Sequence, residues 1–151
     1  MPDDLYEHDV LVWSEKQAAL LRQLSRGERV NEAVDWEHVI EEVGDVGLSQ
    51  LSACQSYLRQ AIVHLLKLHR QPEGQATGHW HSEIANFLAD AQQRFSASMR
   101  QRIDLDVLYR RALRQLRVDG QALVAPDACP FTIDDLLDED FAIDALLAKL
   151  R

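Results

Sequence analysis

At 151 residues the chain has the size of one domain that can bury a core without disulfide or metal support. Six Gly and four Pro leave little turn material for a many-stranded sheet. A formal charge of −9 excludes whole-surface attraction to nucleic acid or anionic lipid, so any such binding must be local.

Residues 1–9, MPDDLYEHD, are acidic and lack the cationic and then apolar order of a signal peptide, which leaves the cytoplasm as the expected location. A first helix is expected over residues 4–24, with Tyr6, Val10, Trp13, Leu20, Leu21 and Leu24 inward. Gln17 falls on the same stripe and therefore needs a hydrogen-bond partner. The ten residues SRGERVNEAV form a connection, and Asp35 is placed to cap the helix that begins at Trp36. From there an apolar stripe runs through Ile40, Val43, Leu51, Cys54, Leu58, Ala61, Leu65 and Leu68 without losing phase. Gly44 and Gly47 each weaken such a helix by about 1 kcal/mol. One long helix over residues 36–70, bent at the glycines if anywhere, is the expected axis of the fold.

Gln71-Pro72 and the run EGQATG stop that helix. A third helix carries Trp80, Ile84, Phe87, Leu88, Ala91 and Phe95, and a fourth carries Ile103, Val107, Leu108, Ala112 and Leu116 up to Gly120. The loop QALVAPDACP leads to Thr132, which caps a short acidic helix with Asp135 as the capping-box acid, and residues 142–150 supply a last helical piece. No internal repeat and no strand-period alternation occurs. The expected fold is all-α, a single compact domain over residues 1–151, built as a bundle of about five helices around the long one.

Four stretches together resemble the bacterial family catalogued as domain of unknown function 29. They are the Trp13-x-x-x-Gln17-x-x-x-Leu21-Arg22 spacing, the Glu41-Glu42-Val43 to Gly47 segment, the His64-Leu65-Leu66-Lys67 to Gln71-Pro72 segment and the Cys129-Pro130 to Phe141 ending. The likeness spans nearly the whole chain, with departures from the family pattern at Gly44, Leu68 and His79. It implies an all-helical fold and brings no established activity.

Six histidines and the Glu41/Glu42 pair invite a metal reading through His38, Glu41, Glu42 and His64, because di-metal bundles draw inward carboxylates and histidines from their helices. The chain has His38-x-x-Glu41 on one helix face but no Glu-x-x-His, so a solvated acidic face competes with that reading. Cys54 lies on the buried stripe, and Cys129 sits near acids that disfavour a thiolate, so both are expected as reduced, unreactive thiols. Neither GxGxxG nor GxxxxGK occurs, and no cofactor is evident. Trp13, Trp36 and Trp80 are read as core anchors.

The charge distribution says more. Seven arginines lie between Ala91 and Val118 against only Asp104 and Asp106. Arg110, Arg114 and Arg117 share a stripe that either docks an acidic partner or phosphate or is covered by the acids of residues 134–140, the second being favoured. The expected function is a protein-binding or regulatory module, not an enzyme, whose partner is another protein or a second copy. A metal-dependent enzyme and a nucleic-acid binder working through the arginine helix are the alternatives.

Overall fold

The longest helix, α3 (Trp36–Arg70), is continuous across both glycines. The computed structural model describes residues 4–118, 120 and 123–151. Residues 1–3 of the acidic N-terminal stretch, and Gln121 and Ala122 of the expected loop, lie outside the described residues. The remaining helices are α1 (Leu5–His8), α2 (Val10–Ser25), α4 (Thr77–Arg94), α5 (Leu105–Val118), α6 (Ile133–Leu137) and α7 (Ile143–Ala148). The fold is all-α, with no strand among the described residues. The expected first helix is broken at Asp9, whose backbone leaves helical geometry at φ −152° and whose carboxylate accepts the Val12 N–H at 3.1 Å as the cap of α2.

The chain divides into two compact units, residues 1–48 and 49–151, and α3 contributes to both. In the second unit, Cys54, Leu58, Ala61, Leu65 and Leu68 of α3 join Ile84, Leu88 and Ala91 of α4, Leu108, Ala112 and Leu116 of α5, Leu136 of α6 and Leu146 of α7 in one core. Three helices thus present apolar faces at three-and-four spacing, and the short α6 and α7 each contribute a leucine. The Thr132 and Asp135 capping box forms as expected. Tyr109 is fully buried but spends its hydroxyl on the Pro126 carbonyl at 2.6 Å, which settles its polar end; burial raises its pKa to about 12. Both cysteines are free, and burial pushes both thiols up; Cys54 is fully enclosed.

In the first unit the interior is small: among the described residues Trp13, Gln17 and Val34 are the buried ones. Val10 and Leu21, expected inward, are exposed. Gln17 finds the partner its position demands, accepting the Asp35 backbone N–H at 2.8 Å.

The long stripe of α3 keeps its phase but not its cover. Positions 54, 58, 61, 65 and 68 are at most 1% exposed, whereas Ile40 is 68% and Val43 69% exposed. Trp36, expected in the core, is 44% exposed and donates its indole N–H to the Asn31 carbonyl at 2.8 Å. The reason lies on another face of the same helix. His38 and Glu42 of α3 meet Tyr6 of α1, and His38 meets Trp13 of α2; the two stand roughly 160° and 120° around the helix from the Trp36 line. Polar and aromatic contacts hold that flank inward, so the apolar stripe faces out.

Candidate functional site

The first candidate region is the cluster that fastens α1 and α2 to the start of α3. Asp35 precedes α3 and its carboxylate accepts from the His38 backbone N–H at 3.5 Å, from the Trp13 indole N–H at 3.0 Å and from the His38 ring Nδ1–H at 2.7 Å. Tyr6 stacks on His38 with ring centroids 3.9 Å apart and meets Trp13 edge-on at 4.8 Å. Its hydroxyl donates to Glu42 Oε1 at 2.5 Å.

This arrangement sets the charges. Burial works against the Asp35 carboxylate, yet the hydrogen bonds from His38 and Trp13 outweigh it and hold its pKa below the usual carboxylate value. His38 is pushed above the ordinary histidine value, chiefly by its hydrogen bond to Asp35. The hydrogen bond to Glu42 raises the Tyr6 hydroxyl to about 12. An Asp–His pair of this kind can orient an imidazole for proton transfer, but no serine or cysteine is hydrogen-bonded to His38 among the described residues.

The four candidate metal residues are divided between the units. His38 and Glu42 stand in the cluster just described, with His38 Nδ1 committed to Asp35 and Glu42 to Tyr6, and Glu41 is exposed. His64 belongs to the second unit, half-buried beside Phe87, with Nδ1 donating to the Gln60 carbonyl at 2.8 Å; burial lowers its pKa. Among the described residues no group of three or more His, Cys, Asp or Glu side chains could hold a metal.

The second candidate region is the arginine face of α5. Of the five acids expected to cover it, two pair elsewhere, Asp134 with Arg100 at 2.9 Å and Asp135 with Lys149 at 3.1 Å, and none pairs with Arg110, Arg114 or Arg117 among the described residues. Among the described residues Arg110, Arg114 and Arg117 have no carboxylate partner, and all three are exposed. Asp135 is also committed to the Thr132 backbone N–H as the capping-box acid, which helps keep those acids local to α6. Arg110 donates Nε to the Asp106 carbonyl at 3.3 Å, while Arg114 lines a cavity of about 460 Å³ with Arg59, Arg111, Gln115 and Val118.

Arg59 and Arg111 were absent from the sequence-derived stripe. They share a second cavity, of about 240 Å³, with Ser52, Gln55, Ser56 and Leu108. A signal existed: Ser52, Ser56 and Arg59 follow one another at spacings of four and three, a polar line on a different face of α3 from the core stripe.

Residues 5–142 match the model of a family described as domain of unknown function DUF29. The chain is also similar to a solved alpha-helical protein of unknown function from Rhodospirillum rubrum, with 34% identity, 96% of each chain covered and a TM-score of 0.70. No curated protein matches.

Proposed function

The chain belongs to the family of domain of unknown function DUF29, and from that premise we propose that it is a helical binding module of the bacterial cytoplasm. Its first unit, on this reading, captures a cationic amphipathic helix of another protein. The observation that carries the reading is the uncovered continuation of the core stripe: Trp36, Ile40 and Val43, with Val46 and Leu48 beside them, are exposed on a helix whose later turns bury the same face. A helix-wide apolar line left in water is the geometry of helix-in-groove recognition.

Charge favours the occupant. Residues 1–48 hold twelve carboxylates against four Lys and Arg, a formal −8 of the chain's −9. On α3 itself Glu37 stands about 100° around the helix from Trp36, with Glu41 and Asp45 farther round, so the acids surround the stripe's helix without interrupting its apolar line. A second copy would bring the same acids together, whereas a helix flanked by Lys or Arg would be attracted. The absence of any helix long and apolar enough to cross a membrane, among the described residues, accords with a partner met in water.

The probe is a pair of synthetic amphipathic peptides of equal apolar content, one built from Leu and Lys and one from Leu and Glu, titrated against the fluorescence of a variant that keeps Trp36 and carries Trp13→Phe and Trp80→Phe. The Lys peptide should bind, more weakly at high salt, and the Glu peptide should not. Val43→Asp should abolish binding while shifting stability by no more than about 0.5 kcal/mol, because Val43 is a surface residue. Equal binding of both peptides, or of neither, would overturn the proposal. So would a dimer in sedimentation that Val43→Asp dissociates, since the stripe would then belong to a second copy.

A further inference from the structure

A different face, wholly within the second unit, carries a site of its own. The cavities of about 240 and 460 Å³ lie side by side along α3 and α5, and Arg59 and Arg111 line both. Arg114 adds a third guanidinium to the larger one. Arg59 donates to Gln115 Oε1 at 2.9 Å, and among the described residues none of these arginines has a carboxylate partner. Three cations along one cavity wall repel each other, and their mutual repulsion is relieved by an anion seated among them.

The donors select the kind of anion. Ser52, Gln55 and Ser56 line the smaller cavity together with Arg59, Arg111 and Leu108, so residues that carry hydroxyl, amide and guanidinium donors border it. A carboxylate has two oxygens in one plane. A phosphate carries three acceptor oxygens in a tetrahedral array and up to two charges, which suits donors arriving from several directions. The larger depression is open to solvent, and with Val118 and Gln115 in its wall it leaves room for the organic part of the ligand.

We propose that this groove binds a phosphorylated small molecule, with the phosphate between Arg59 and Arg111 and the rest of the ligand toward Arg114. The site does not depend on the first unit or on what docks there. Nucleic acid is the competing class, and it is disfavoured: a duplex or strand needs an extended cationic track, while the chain as a whole is at −9.

Calorimetric titration of the full chain with pyrophosphate tests the proposal. Pyrophosphate should bind, and Arg111→Gln, at an exposed residue, should weaken it by about tenfold or more, the effect of removing a charged hydrogen-bond donor. Arg59→Gln should do the same with the circular dichroism unchanged. Arg102→Gln removes an equal charge from an exposed residue that lines neither cavity, and should leave binding as it was. Three outcomes would overturn the site. One is no heat with pyrophosphate. Another is equal weakening by Arg102→Gln and Arg111→Gln, which would mean bulk charge. The third is a mixed-sequence oligonucleotide that binds with a steep salt slope while pyrophosphate does not compete, which would make the face a nucleic-acid surface.

Discussion

Leu65→Ala is expected to destabilise the second unit by about 2–5 kcal/mol, because it removes a fully buried side chain from the middle of the core and leaves a cavity that rigid neighbours cannot close. In thermal unfolding a loss of that size lowers the midpoint by about 10 °C or more for a unit of this length. The informative comparison is Ile40→Ala, which deletes a side chain from the same stripe of the same helix. Ile40 is 68% exposed, so its truncation should change stability by no more than about 0.5 kcal/mol. The pair separates periodicity from burial. Were Leu65→Ala to melt within a degree or two of the parent, α3 would not be the axis of the core. Were Ile40→Ala to cost as much as Leu65→Ala, the first half of the stripe would be covered in solution, by a second copy or by another segment.

That contrast also marks how far the sequence could be read. Periodicity states which side chains of a helix share a face; it does not state where the covering helices end. The line from Trp36 to Leu68 is unbroken in the sequence, and the cores it runs past differ: α4 to α7 supply apolar faces over its later turns, while α1 and α2 meet it through Asp35, His38 and Glu42. Trp36 was therefore legible as a stripe residue and illegible as an exposed one. Local chemistry read well. The Asp35 cap, the Gln17 partner and the Thr132 capping box each follow from the orphan N–H groups of a helix start or from a polar group on an apolar line. The break at Asp9 was hidden, because Asp9 is an ordinary helix surface residue until its carboxylate turns back to cap Val12.

The arginine groove was half legible for a related reason. Counting charges along α5 found the excess of cations, but whether nearby acids neutralise them depends on loop paths. Asp134 and Asp135 lie close to α5 in composition arguments and yet pair with Arg100 and Lys149. Arg59 belongs to α3 and precedes Arg111 by 52 residues, and only the fold brings the two to one cavity. Non-local convergence is what spacing within one helix cannot express.

Asp35→Ala is expected to cost the first unit about 2–4 kcal/mol. Loss of a helix N-cap accounts for about 1 kcal/mol, and the Trp13 indole N–H, on a buried ring, loses its acceptor at a cost of about 1–3 kcal/mol. The same carboxylate gives the unit a pH dependence whose sign is fixed by its partner. His38 has a raised pKa when folded, so its contribution is fully present below the ordinary histidine value of about 6.5 and is lost as pH rises through the higher folded value. Asp35 has a lowered pKa, so its contribution is present above the ordinary value of about 3.9 and is lost as pH falls through the lower folded value. The pair is therefore complete between the two, and the first unit should be more stable at pH 5.5 than at pH 8.5. Denaturant unfolding followed by tryptophan fluorescence at those two pH values measures the difference, with Asn31→Gly as a control that leaves the pair alone. In Asp35→Ala the alkaline loss should shrink, because the hydrogen bond to Asp35 that chiefly raises His38 is gone and only the weaker pull of Glu37 and Glu41 is left. An alkaline loss that persists undiminished in Asp35→Ala would place the titrating group elsewhere and remove His38 from the fastening of α2 to α3.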